Sequence, residues 1–420
     1  MYDVAIIGGG PAGSTAGNVL AREGLKTVIL ERERFPRFHI GESLLPFNRD
    51  LFDRLGVTPL LQGRKFVTKY GAQFVSNDGS VERGFDFLTG GLGAEAVAYE
   101  VERDEFDHLL LDHARKQGVE AREGVNVLDV QGEGPCRLRV RTEAGEETIE
   151  ARWVIDASGQ GSLLAKIHDF RVNHPTHRKV AVFTRYRGAT RRQGRQAGNI
   201  DIVLGLGGWF WLIPLKNDIL SAGYVANTSG WKASGLSPEG FFEKAAASSP
   251  YVMSRLAPAA RLDQTWTASN YSYRSKRLSG PGFVLVGDAA EFLDPVFSTG
   301  VLLAMRSGDL AARELARAMK EGRSLVPALF DRYERTFRKW TGNHFAMIDA
   351  FYDPGFAPVF LTPRNTLGMV RAVIGLMAGE SEPGLINRLR LNLFYGLCRL
   401  NKAFGFIKDP RPEHSAVSHG

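Results

Sequence analysis

Cysteine is scarce in this chain. Cys136 and Cys398 are the only two in 420 residues, and neither sits in a CxxC pair or beside paired histidines. That excludes a disulfide scaffold and argues against any metal site. Two isolated thiols suit a reducing compartment, so a cytoplasmic location is the expectation. An uncharged apolar run of about 18 residues is also missing, and no membrane span is expected. Met1 is followed at once by an apolar segment containing Asp3 rather than by a basic segment, so export is not expected either. Internal repeats and low-complexity tracts are lacking. So is a strong charge bias: 53 Lys and Arg stand against 46 Asp and Glu, a net +7, which gives no reason to expect nucleic acid. What is present, 44% hydrophobic and 24% charged residues, is the balance of a globular chain. The length allows two or three domains at about 100–200 residues each.

The first forty residues are the most legible. Val4-Ala5-Ile6-Ile7 is a short apolar run bounded by glycine, the pattern of a buried parallel strand. Gly8, Gly10 and Gly13 follow, then a helical stretch to Arg22, a stop at Gly24 and a second strand, Thr27 to Leu30, closed by Glu31. The glycines fit the dinucleotide fingerprint GxGxxG, which needs a tight turn, close backbone approach to pyrophosphate and close helix–strand packing. Such phosphates sit at a helix N-terminus, and Glu31 is spaced to accept from ribose hydroxyls. Segments 154–159 and 282–288 repeat the strand–turn character. From about 170 to 275 the chain is rich in Val, Phe, Tyr and Trp with little helical periodicity, which predicts antiparallel sheet. Segment 301–320 has helical spacing. The pattern stays helical from about 327 onward, interrupted at Pro354, Pro358, Pro363 and Pro383. The predicted fold class is mixed α/β. A discontinuous Rossmann-like domain (1–75, 95–165 and 270–325) holds an inserted, sheet-rich substrate domain (76–94 and 166–269), and a helical C-terminal region (326–420) follows.

A helix opening at Glu102 carries Arg103 and Asp107, and an apolar strand further on ends in Gly287-Asp288. The glycine fingerprint, the Arg103/Asp107 helix and the GD pair, in that order, resemble the flavoprotein monooxygenases of the para-hydroxybenzoate hydroxylase fold. The resemblance implies FAD, with Asp288 against the ribityl chain. An N-cap role for Asp288 is compatible with this. The implied cofactor-binding set is Gly8, Gly10, Ala12, Gly13, Glu31, Arg32, Gly41, Glu42, Ser43, Arg103, Val127, Asp156, Gly159, Gly287 and Asp288.

Three further features narrow the resemblance. Gly41-Glu42-Ser43-Leu44-Leu45-Pro46 is similar to the GES segment of flavin-dependent halogenases, and Trp209 to Pro214 matches their WxWxIP pattern. Lys69, followed by Gly71-Ala72, falls where that family carries its essential lysine; Lys65 is the rival assignment. The resemblance implies FADH₂, O₂ and chloride or bromide, with hypohalous acid as oxidant. It implies Lys69 as the catalytic residue, hydrogen-bonding that acid or forming a haloamine with it. Lysine suits this work because a desolvated amine sheds its proton more readily. The halide is expected at the backbone N–H groups of Thr299 and Gly300, where plain capping by Ser298 or Thr299 is the other reading. Trp209, Trp211, Pro214 and Phe297 are expected around the substrate.

Tryptophan halogenases carry a glutamate where Phe297 stands. The form Pro295-Val296-Phe297-Ser298-Thr299-Gly300 resembles instead the branch acting on phenols and pyrroles, free or tethered to an acyl or peptidyl carrier protein. No second dinucleotide fingerprint is present for a nicotinamide cofactor, so a separate NAD(P)H flavin reductase is the expected partner. Between Phe170 and Ile200 there is no acid but Arg171, Arg178, Lys179, Arg185, Arg187, Arg191, Arg192 and Arg195. That stretch is either a solvated sheet edge or a docking face for an acidic partner. A flavin hydroxylase or a geranylgeranyl-reductase-like enzyme of the same fold is the alternative function, and WxWxIP with Lys69 favours the halogenase over both. No signalling domain or coiled coil suggests a flavin sensor.

Overall fold

In the computed structural model the described residues are 1–90, 92–93, 96–269, 272–362 and 366–412. Pro363 and the boundaries expected at 94–95 and 270 lie outside them. The apolar run at the start forms β1 (Tyr2–Ile7), followed by a helix at Pro11–Arg22 and β2 (Thr27–Glu31). β1 is the centre of a parallel sheet, flanked by Gly145–Asp156 on one side and β2 on the other, with Phe283–Leu285 and Glu120–Glu123 outside these. A hairpin, Asn126–Gln131 with Cys136–Thr142, extends Gly145–Asp156. The 11–22 helix crosses the long helix Gly300–Lys320 so closely that a Cβ at Gly308 would lie 2.4 Å from the Ala12 carbonyl oxygen. β1 ends where the 11–22 helix begins, at the carboxyl edge of the parallel strands, the usual place for a ligand in such sheets.

Four more strands place the second part of the site: β3 (Val67–Lys69), β4 (Gly71–Ser76), β5 (Glu82–Asp86) and β6 (Ala98–Glu100). β4 and β5 join the second large sheet, where β4 pairs in parallel with Ile200–Gly205. This sheet thus begins at Gly71, ahead of the boundary expected at 76. Pairing across so many intervening residues leaves no local mark in the sequence. Within this sheet the strand Gly208–Pro214 splits its side chains by strand periodicity. Trp209, Trp211 and Ile213 face the main core, while Phe210 and Leu212 face a second core.

That second core is capped by three helices, Thr228–Ser234, Pro238–Ala247 and Pro250–Leu256, inside the stretch expected to be sheet alone. Two of them start on a signal present in the sequence. Ser237 and Ser249 accept from the N–H groups of Gly240 and Val252 at 3.1 and 3.3 Å, each ahead of a proline at the first helical position. The basic stretch is largely consumed within the fold. Arg185 pairs with Asp263 at 2.5 Å, Arg191 with Asp218 at 3.4 Å, and Arg192 with Asp201 at 2.5 Å. Arg195 pairs with Asp86 at 2.8 Å, and Arg171 and Lys179 lie over the rings of Tyr273 and Tyr352 at 3.6 and 3.7 Å. Six of these eight cations thus have a partner within the chain. Among the described residues no helix is long and apolar enough to cross a membrane.

Candidate active site

The 11–22 helix begins behind Gly10 with Pro11, has no side-chain cap and carries no acid in its first turn. Its free amides and positive end are thus left open for an anion. Gly8 has φ +100°, and a Cβ there would lie 2.4 Å from the Ala157 oxygen; one on Gly13 would lie 1.9 Å from the Gly8 oxygen. These two glycines are needed by the fold itself. A Cβ on Gly10 would meet only the Arg37 guanidinium, at 3.5 Å. Glu31 accepts from the Gly9 and Glu33 N–H groups at 2.7 and 2.9 Å, which fixes its carboxylate beside the glycine turn.

Arg103 makes two hydrogen bonds to Asp107, at 2.7 and 2.9 Å, and donates to the carbonyls of Ile40 and Gly41 at 2.8 and 3.2 Å. It thereby pins the segment that carries Glu42 and Ser43. Gly287, at φ +57°, lets the 287–289 turn press against Ala12, where a Cβ would come within 3.1 Å. The next residue, Asp288, accepts from the Tyr273 hydroxyl at its backbone carbonyl, at 2.6 Å, and burial pushes its carboxyl up to about 7 against the pull of Arg103. The Glu42 carboxyl is likewise lifted to about 7 by burial, with Oε2 unpartnered. A dinucleotide's phosphates suit the open helix N-terminus, and its hydroxyls are donors that the Asp288 carboxyl, next to Gly287 against Ala12, would accept from. The residues fit FAD.

The remaining expected cofactor positions divide. Ala12 and Val127 are buried, and Val127 lies two residues past Val125, whose N–H donates to the Glu31 carbonyl at 2.8 Å. Gly159 has φ +61° in the turn after Asp156. Asp156 itself accepts from the Ser158 and Leu164 N–H groups at 2.9 and 2.7 Å, so its carboxylate caps that turn. Arg32 is exposed and lies 3.4 Å from Glu33.

Lys69 is only 2% exposed, and its ammonium donates to Ser43 Oγ at 2.6 Å and to the Leu44 carbonyl at 3.1 Å. Burial pushes its pKa down while Glu100 pulls it up. Lys65 is exposed at φ +55°, so only Lys69 is enclosed. Lys69 borders a largely apolar cavity of about 20 Å³, room for about one water, walled by Phe85, Phe87, Phe297, Ser298, Ile374 and Met377 among others. Of the four residues expected around the substrate, Phe297 lines this space; Trp209, Trp211 and Pro214 do not. The two indoles are anchored by hydrogen bonds instead, Trp209 to Tyr352 Oη at 3.0 Å and Trp211 to Ser221 Oγ at 3.3 Å. Thr299 and Gly300 follow Ser298 at the start of the 21-residue Gly300–Lys320 helix, which has no side-chain cap and no acid in its first turn. Glu100, which sequence reasoning missed, is fully buried beside Lys69. Its signal was an acid within an otherwise apolar strand, Ala98-Tyr99-Glu100-Val101.

A family model described as tryptophan halogenase matches residues 3–90 and 81–355. The chain is 30% identical over 415 residues to the 1H-pyrrole-2-carbonyl-(peptidyl-carrier protein) chlorinase of Pseudomonas fluorescens, covering 93% of this chain and 92% of that one. Among solved structures, CmlS, a flavin-dependent halogenase, matches with a TM-score of 0.79 at 31% identity, over 94% of this chain and 70% of its own. A flavoprotein/dehydrogenase from Cytophaga hutchinsonii matches with a TM-score of 0.86 at 28% identity, over 95% and 98%. The family model spans the cradle, the enclosed lysine and the turn before the 300–320 helix alike, and the chain belongs to the flavin-dependent halogenases, enzymes that use FAD and halide to halogenate aromatic compounds.

Proposed function

We propose that this protein chlorinates or brominates an electron-rich ring of phenol or pyrrole type, with Lys69 presenting the electrophilic halogen. The observation that carries this reading is the enclosure of Lys69: a buried amine, held by Ser43 and Leu44, at the edge of an apolar cavity. Bound FAD, reduced through a separate NAD(P)H flavin reductase and met by O₂, supplies hypohalous acid from halide. Gly8, Gly10, Gly13, Glu31, Arg103 and Asp288 hold that cofactor. The halide is read at the Thr299 and Gly300 amides, one and two residues beyond Ser298 in the cavity wall.

Lys69, once neutral, hydrogen-bonds the acid or displaces hydroxide from its halogen. In the second case a nitrogen–halogen bond forms, the halogen–oxygen bond breaks, and the leaving hydroxide takes an amine proton to become water. Ring attack then forms the carbon–halogen bond, and the ring proton returns to the amine. The apolar walls exclude water that would otherwise hydrolyse the electrophile. Phe297 offers a ring face where a carboxylate would suit a cationic amino acid, which supports a neutral phenol or pyrrole. The Pseudomonas relative acts on a pyrrole carried by a peptidyl-carrier protein, and this supports a tethered substrate.

Incubation with FAD, a flavin reductase, NADH, halide and a panel of free and carrier-loaded aromatics, read by intact mass, tests the reading. Lys69→Ala should still oxidise reduced flavin yet lose halogenated product by ~10³-fold or more, the scale of positioning effects. Near-normal product from Lys69→Ala passes the role to Lys65 or to no lysine. Oxidation of NADH at a catalytic rate by the protein alone, without halogenated product, favours the flavin hydroxylase of this fold instead.

A further inference from the structure

Glu100 is 0% exposed, and neither of its carboxylate oxygens finds a hydrogen-bond partner of good geometry among the described residues. A buried carboxylate in that condition is costly to keep charged. Its neighbours follow from backbone pairing. β3 and β6 are antiparallel, with Val67 opposite Glu100 and Lys69 opposite Ala98. Alternation along the strands puts Lys69 and Glu100 on one face as diagonal neighbours, within reach of long side chains. On the other edge of β6, Ser43 pairs with Glu100, flanked by hydrogen bonds from Val101 N–H to the Glu42 carbonyl at 2.7 Å and from Leu44 N–H to the Tyr99 carbonyl at 2.9 Å. Ser43 and Lys69 therefore adjoin Glu100 from its two sides.

The hydrogen-bond directions are consistent. The Lys69 ammonium donates to Ser43 Oγ at 2.6 Å, which leaves the Ser43 proton to be offered elsewhere. Burial pushes the Glu100 carboxyl up to about 7, and Lys69 and the Ser43 hydroxyl are the groups that favour its charged form. The other charges nearby are Glu42 and Glu102. Both are pushed up by burial, with Arg185 acting on the first and Lys216 on the second.

We propose that Glu100 is the proton partner of Lys69: through the Ser43 hydroxyl it takes the ammonium proton, so the two side chains hold one proton between them and Lys69 meets hypohalous acid as a neutral amine. This rests on Lys69 as the halogen carrier. In the transfer, a Lys69 N–H bond breaks and its proton goes to Ser43 Oγ while the Ser43 O–H proton goes to Glu100. Ammonium and carboxylate become amine and carboxylic acid, and no net charge is created. After halogen has passed to the ring, the amine is regenerated and the proton can return by the same path.

The test is a titration of the FAD-loaded protein carrying lysine labelled with ¹³C at Cε, with the Lys69 resonance identified by its loss in Lys69→Arg. In wild type the Lys69 shift should respond in two steps, one at each midpoint of the coupled pair. In Glu100→Gln the lysine midpoint should fall by about one pH unit or more, because the carboxylate that raises it is gone. Product should fall by about tenfold or more at neutral pH with flavin affinity unchanged, and Glu100→Asp should recover part of it. A single-step wild-type titration, an unmoved lysine midpoint in Glu100→Gln, or product within about threefold of wild type overturns the proposal. The wild-type titration decides the matter even if Glu100→Gln does not fold. Normal product from Lys69→Ala sinks the halogen-carrier reading whatever the titration shows; a single-step titration with an inactive Lys69→Ala sinks only the proton partner.

Discussion

Trp209 reaches Asp294 through one intervening hydroxyl. The indole N–H donates to Tyr352 Oη at 3.0 Å, and Tyr352 donates to Asp294 Oδ2 at 2.8 Å. Asp294 in turn accepts from Val296 N–H at 3.1 Å, capping the short Pro295–Phe297 turn. The first tryptophan of the WxWxIP motif thus braces the loop that leads into Ser298, Thr299 and Gly300, from behind the cavity and not inside it.

Trp209→Phe removes the indole donor together with part of the volume of a side chain that is 2% exposed. The lost hydrogen bond costs about 1 kcal/mol and the space left behind adds roughly 1–3 kcal/mol, which a thermal melt would register. Product formation should drop by about tenfold through loosening of the loop that leads into Thr299 and Gly300, with flavin affinity unchanged. A variant with unaltered halogenation would reduce Trp209 to core filling.

Gly10 separates flavin binding from folding. A Cβ there meets only the flexible end of Arg37 at 3.5 Å, whereas one at Gly8 or Gly13 runs into backbone. Gly10→Ala should therefore melt close to wild type while binding FAD at least about tenfold more weakly, a loss of ~1.4 kcal/mol, by fluorescence titration. Gly13→Ala should lose folding and binding together.

Glu42 makes stability depend on pH in the direction opposite to a paired carboxylate. Burial raises its folded value to about 7 from an ordinary 4.5, so the folded state holds a proton that the unfolded chain releases. The associated stability is fully present below about pH 4.5 and is lost as pH rises to about 7, a change of about 3 kcal/mol. Glu42→Gln should flatten that decline. Denaturant melts at pH 5 and pH 8 check this; equal pH slopes for the two proteins would refute it.

The parts of this molecule that could be read from sequence are those set by neighbours along the chain. β1, the glycine turn, the 11–22 helix and Glu31 are one continuous segment whose spacing dictates its shape. The two capped helices after Ser237 and Ser249 were equally local, but the aromatic strands around them dominated the pattern. β4 was different: its partner, Ile200–Gly205, lies far along the chain. Lys69 was legible by residue type and context, while its enclosure depends on Leu45, Phe297 and Ile374 arriving from three distant segments. Glu100 acquires meaning only when Ser43 and β3 close on both edges of its strand.

The small size of the cavity beside Lys69 has a consequence for access. A space that holds about one water refuses an aromatic ring. On the proposed reading, in which halogen and ring meet at the Lys69 amine, the ring therefore does not fit the space as it stands. Ile374 and Met377, on the helix Met369–Met377, are part of the wall that a ring would have to displace. Substituting those two side chains, on a C-terminal segment remote in sequence from the flavin cradle, should therefore change which ring is admitted while leaving flavin affinity as it is.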